Sequence, residues 1–194
     1  GEFLCEISDI HKKGVDICVL KQIRKAEQCP QLHLAFAPIK NDRLHFMIEK
    51  ATELGVTILQ PVITQHTIVH RVNVDKLIRI AIEASEQCER LCIPKVLEPL
   101  KLVDYIQSLE NPKTIAWAWE RMETKDLNTK QSPDHPTPLT GLFIGPEGGF
   151  SQDEVSLLQN HCTPISLGQN ILRAETAAIV GLDRLRQKLT DSII

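Results

Sequence analysis

No stretch of this chain approaches the roughly eighteen consecutive apolar residues that a membrane span requires, and the opening GEFLCEIS lacks the basic and apolar layout of a signal peptide. A soluble, intracellular protein of the cytoplasm is the expectation, with no membrane partner. Internal repeats and low-complexity tracts are also missing. The six cysteines, Cys5, Cys18, Cys29, Cys88, Cys92 and Cys162, show no C-x-x-C spacing, which argues against a zinc knuckle or a redox dithiol. Reduced, buried thiols are expected instead. His66 and His70 stand four apart in HTIVH, but the segment is β-branched in character and lacks the glutamate of a zincin helix, so no metal is expected. A strong charge is lacking too. The formal net charge is −3, a sum that does not favour RNA binding, whose nonspecific part comes from neutralising phosphates. Distribution matters more than the sum: Lys12, Lys13, Lys21, Arg24 and Lys25 cluster near the amino terminus around Asp16, while Asp104, Glu110, Glu120, Glu123 and Asp126 gather elsewhere. A basic strip on a mildly acidic protein is predicted.

What is present is concentrated in two loops. In GLFIGPEGGFS, Gly141 to Ser151, an apolar run breaks into Gly145, Pro146, Glu147, Gly148 and Gly149 before a helix start. Glycine admits positive φ and lets a ligand lie against the peptide groups, and Ser151 followed by Glu154 forms a capping box for the next helix. The second loop lies in PISLGQNILRAETAA, Pro164 to Ala178, where a short strand meets Gly168, then a knuckle through Asn170 to Arg173, then a helix. In open α/β sheets, loops at the carboxyl ends of strands converge on one ligand site. Neither loop has the lysine-serine pair of a P-loop, and no G-x-G-x-x-G opens a helix, so a less anionic ligand than a nucleotide polyphosphate is implied.

Periodicity places these loops in an α/β chain. Glu2 to Ile10 and Val15 to Ile23 read as a hairpin through His11 to Gly14, too small to be stable alone. Gln28 to Pro30 is the expected boundary. Leu32 to Ile39 reads as a buried strand. Asn41 or Asp42 is expected to cap a helix whose Leu44, Met47, Ile48, Ala51 and Leu54 share a face, ended by Gly55. Val56 to Ile63 is another strand, and Asn73 precedes a helix carrying Leu77, Ile80, Ala81 and Ala84. Thr114 to Ala118 is a further strand, and Met122 to Thr140, with Pro133, Pro136 and Pro138, reads as a flexible loop. Alternating strands and helices imply a largely parallel sheet. The last helix, Ala174 to Leu189, gathers Ala174, Ala177, Ala178, Gly181, Leu182 and Leu185 on a side that permits close approach. Trp117 and Trp119 lie near the end of a sheet strand and could approach the pocket, but packing is the commoner fate of tryptophan and they are kept out of the expected site.

Four motifs in order, KATELGV (Lys50 to Val56), EASEQCERLCIP (Glu83 to Pro94), IGPEGGFS and SLGQNILRAETA, make the chain resemble the RsmE-type ribosomal RNA uridine-N3 methyltransferases from about Leu32 to about Leu189. The resemblance implies a SPOUT-class α/β domain, mostly parallel and tied in a trefoil knot, an exception to the rule that chains avoid knots. It implies residues 1–29 as part of an amino-terminal PUA-like RNA-binding domain, with the chain beginning inside it, and residues 30–194 as the methyltransferase domain. It also implies S-adenosylmethionine as cofactor, held by Ile144, Gly145, Glu147, Gly148, Gly149, Leu167, Gly168, Asn170, Ile171 and Leu172. Arg173 and, as a candidate base, Glu175 are the implied catalytic residues. The implied substrate is 16S ribosomal RNA, in the assembled small subunit, methylated during ribosome biogenesis by a homodimer. Two alternatives stay open: a knotted methyltransferase acting on another RNA base, and a nonenzymatic RNA-binding assembly protein.

Overall fold

The computed structural model describes residues 1–26, 29–119 and 138–191. Its amino-terminal part is a hairpin of β1 (Glu2–His11) and β2 (Gly14–Arg24), paired antiparallel and forming a sheet of its own. Nearly every residue in it is exposed, including Ile7, Ile10, Ile17 and Val19. Arg24 pairs with Glu2 across the hairpin and reaches the carbonyl of Glu89 at 3.2 Å. Gln28, at the expected boundary, lies outside the described residues; Cys29 and Pro30 are irregular.

The rest is built on a seven-stranded sheet in which every pairing is parallel. Near its centre β3 (His33–Phe36) pairs on one side with β4 (Ile58–Ile63), which in turn holds two short strands, β5 (Lys95–Val96) and β6 (Leu100–Lys101). On its other side β3 pairs with β8 (Gly141–Ile144), followed by β7 (Ile115–Ala118) and β9 (Thr163–Ile165). Strands covered on both faces need apolar residues at every position. Leu34, Phe36, Leu142 and Ile144 enter one core with α1 (Asn41–Glu53), α2 (Val74–Gln87) and α5 (Ala174–Asp191). Ala35, Trp117 and Phe143, one residue out of step, enter a second core with α3 (Leu102–Ser108) and α4 (Gln152–His161). Among the described residues no helix is long and apolar enough to cross a membrane.

Several expectations are corrected. The cap of α1 is Lys40 and uses no side chain, because the first helical bond, Leu44 N–H to the Lys40 carbonyl at 3.0 Å, places Asn41 and Asp42 inside the helix. By contrast Asn73 caps α2 by accepting from Lys76 N at 3.0 Å, and Gly55 takes φ 94° after α1. The cysteines are not all reduced and buried: Cys29 and Cys92, 63 residues apart, form a disulfide with Cα atoms 6.7 Å apart. The fold brings the segment before β3 beside the loop after α2, a proximity that no local motif encodes. Of the other four, only Cys162 is buried. The small-residue side of α5 packs within the chain, since a Cβ on Gly181 would lie 2.6 Å from Leu142. The strands β5 and β6 and helix α3 were not anticipated. Most of the polar segment Met122 to Thr140 lies outside the described residues, as do Glu120, Glu123 and Asp126.

Candidate functional site

Because all seven strands run the same way, their carboxyl ends open on one side, and the loops leaving them are free of the sheet. The loops after β7, β8 and β9 surround a cleft of about 790 Å³. Ala118 and Trp119 line it after β7, Ile144 to Phe150 and Gln152 after β8, and Leu167, Gly168 and Asn170 to Arg173 after β9. Ala174 and Ala177 of α5 and Arg43 of α1 complete the wall. The ten residues expected to hold a cofactor, together with Arg173, thus stand around one space. Glu175 does not line it: its side chain is folded inward, 7% exposed, and Oε2 has no hydrogen-bond partner among the described residues.

The loop after β8 is shaped by its own backbone. Gly149 N–H closes a turn on the Pro146 carbonyl at 2.9 Å, and Gly149 takes φ 70°, a conformation that L side chains resist. Gly145 has a different reason to lack a side chain, because a Cβ there would meet the Phe150 ring at 2.5 Å. The predicted capping box is present: Ser151 Oγ accepts from Glu154 N–H at 3.3 Å and Glu154 Oε2 accepts from Ser151 N–H at 3.0 Å. The other oxygen of Glu154 accepts from Gln65 N–H at 2.8 Å, joining this loop to the turn after β4.

That turn is set by Thr64 and Thr67, buried and in mutual hydrogen bonds. It presents His66 to the glycine loop, with Nδ1 3.2 Å from the Gly148 carbonyl and 3.1 Å from the Gly149 carbonyl. Two acceptors around one ring nitrogen require that Nδ1 carry the hydrogen. On the second loop Gly168 takes φ 134°, and Arg184 of α5 forks onto the carbonyls of Ser166 and Leu167 at 2.9 and 3.2 Å.

Among the described residues, charge at the cleft is carried by three groups. Arg43 and Glu147, each about 30% exposed, are ion-paired across its mouth. Arg173 is exposed and enters no ion pair among the described residues. Sequence reasoning missed Arg43 and Arg184, weighed His66 only as a metal ligand and kept Trp119 out of the site, because all four lie outside the glycine motifs. Among the described residues there is also no group of three or more His, Cys, Asp or Glu placed to hold a metal ion.

The amino ends of the same strands are closed. His33, which opens β3, lies edge-on to Tyr105 with ring centroids 5.8 Å apart, and burial pushes its pKa down to about 4. Burial also raises the Tyr105 hydroxyl far above its usual range and pushes the Cys162 thiol up to about 11.

An open parallel sheet with glycine loops meeting beyond its strand ends defines a ligand-binding α/β protein, and the model of the RNA methyltransferase domain family matches residues 26–186. The ribosomal RNA small subunit methyltransferase E of Rickettsia conorii is 39% identical over 188 residues, covering 96% of this chain and 76% of the relative. Its counterpart in Buchnera aphidicola subsp. Acyrthosiphon pisum is 32% identical over 97% of this chain and 76% of its own length. The chain belongs to the ribosomal RNA small subunit methyltransferase E family. A proposed methyltransferase of Legionella pneumophila, solved with the cofactor SAM bound, is similar at 30% identity and a TM-score of 0.78, over 96% of this chain and 78% of that one. The Neisseria gonorrhoeae ribosomal RNA small subunit methyltransferase E, solved with S-adenosyl methionine, shares the fold at a TM-score of 0.79 and 23% identity, over 96% and 78% of the two chains.

Proposed function

We propose that this chain transfers a methyl group from S-adenosylmethionine to N3 of a uridine in 16S ribosomal RNA, within the small ribosomal subunit. The observation that carries the reading is the convergence of two glycine-bearing loops and Arg173 on one cleft at the strand ends. The residues present suit the cofactor. A Cβ on Gly149 or Gly168 would meet nothing within 4 Å, so backbone is bare there. Ile144, Leu167 and Leu172 offer apolar wall to a nucleoside, and among the described residues there is no phosphate cradle to match a polyphosphate. When bound, the cofactor supplies a methyl group activated on a sulfonium centre.

The chain's own part is to hold the RNA nitrogen in line and keep water out. Uridine N3 must lose its proton before it is a nucleophile. The Arg173 guanidinium, at the cleft wall and in no ion pair among the described residues, stabilises the uridine anion at a carbonyl oxygen. The proton passes to solvent, because the one carboxylate on the described cleft wall, Glu147, is already paired with Arg43. Glu175, buried in the first turn of α5 and not among the described residues of the cleft wall, is given no part as base. Residues 1–29 are part of a PUA-like RNA-binding domain and residues 30–194 the methyltransferase domain. The exposed hairpin carrying Lys12, Lys13 and Lys21 supports the first of these. The working unit is a cytoplasmic homodimer whose contact is not the small-residue side of α5; Ile171, 70% exposed at the cleft, supports a contact there.

The test is methyl transfer from labelled S-adenosylmethionine to small ribosomal subunits that lack the modification, read by nucleoside mass spectrometry. Label in N3-methyluridine is expected. Label in another nucleoside would replace the substrate, and no label despite measured cofactor binding would leave a nonenzymatic RNA-binding protein. Light scattering that returns a monomer mass would remove the dimer.

A further inference from the structure

Side chains two apart on a strand point to the same face, so Trp117 in β7 and Trp119 just beyond it are set to meet. They do: the rings stack with centroids 5.2 Å apart and planes at 21°. The backbone at Trp119 is fixed as well, because its N–H donates to the Ile165 carbonyl at 3.0 Å and continues the β7–β9 ladder one residue past the strand. Behind it Trp117 is fully buried, and Phe150 packs edge-on against Trp117 at 5.7 Å. Phe150 in turn contacts Phe143 at 5.4 Å, so an aromatic column runs out of the core. Trp119 is its last member, half-buried, and it lines the cleft.

One face of the Trp119 ring is taken by Trp117, and the half-buried residue lines the cleft where a ligand would sit. A rigidly backed indole offers a large apolar area with little entropy left to lose, and every nucleobase has a π-face that fits it. We propose that Trp119 is a stacking platform that receives a nucleobase in the cleft. This rests on the methyl-transfer reading, which brings two such rings, the adenine of the cofactor and the uracil of the RNA.

Two variants and two probes test it. The chain has two tryptophans, stacked on each other, so the part of a ligand-induced fluorescence change that is lost in Trp119→Phe reports Trp119. S-adenosylhomocysteine is titrated by calorimetry and fluorescence, and a uridine oligoribonucleotide by anisotropy. Trp119→Leu is expected to weaken one of the two by about tenfold, while Trp119→Phe, which keeps a ring against Trp117, stays within about threefold of wild type. Weakening in the first arm assigns the adenine and in the second the pyrimidine. Unchanged affinity for both probes in Trp119→Leu, with wild-type S-adenosylhomocysteine binding intact, overturns the platform alone. Failure of the wild-type chain to bind S-adenosylhomocysteine overturns the methyl-transfer reading and the platform with it.

Discussion

At the carboxyl ends of β7, β8 and β9 the chain leaves glycine backbone, an exposed arginine and a half-buried indole around a cleft, whereas at the amino ends of the sheet it buries Tyr105 and Cys162 and half-buries His33. The difference follows from parallel pairing. Every strand must be reached by a crossover that packs on the sheet, and the loops leaving the strands are the segments free to serve a ligand. At the closed end a titratable group is kept neutral by burial and serves stability. At the open end a charge is kept in water, and the proposed function gives it the chemistry. Changes at one end should therefore move one property and spare the other.

The largest effect is expected at the open end. Arg173→Ala should lower the methyl-transfer rate by about 100-fold or more, as loss of a preorganised charge-stabilising donor does, while the thermal midpoint stays close to wild type. A midpoint that falls in step with the rate would break the comparison. The next effect belongs to the closed end. His33 is held neutral in the fold, with its pKa pushed from 6.5 to about 4, so between those values the unfolded chain takes up a proton that the folded chain refuses. Stability should fall as pH drops from about 6.5 towards 4, by at most roughly 3 kcal/mol, and His33→Leu should flatten that dependence in urea titrations. An unchanged pH slope in the variant would remove His33 from the account. The smallest effect sharpens the border between the ends. Ser151→Ala removes the cap of α4 directly beside the cleft loop and should cost about 1 kcal/mol of stability in urea unfolding.

Both glycine loops were legible because their chemistry is local: Gly149 and Gly168 carry positive φ, and Ser151 with Glu154 closes a box within four residues. Their meeting in one cleft followed from parallel strands. Other parts were not local and stayed hidden. Arg43 reaches Glu147 across 104 residues, and Cys29 reaches Cys92 across 63. The strands β5 and β6 are two residues each, too short to carry a period. The small residues of α5 announced a close approach without saying to what, and Leu142 of the same chain is the answer. Trp119 was kept out of the site because packing is the commoner fate of tryptophan, and packing on Trp117 describes one of its faces; that it does line the cleft showed only in the fold.

The position of β8 has a consequence for how the chain is made. During synthesis from the amino terminus, β3 and β4 emerge and can pair early, and β7 emerges long before β9, yet β8, which joins the two groups, arrives between them. On this side the sheet grows past β3 only when β8 arrives, and until Gly141 to Ile144 are added both β3 and β7 present open edges that any other strand could occupy.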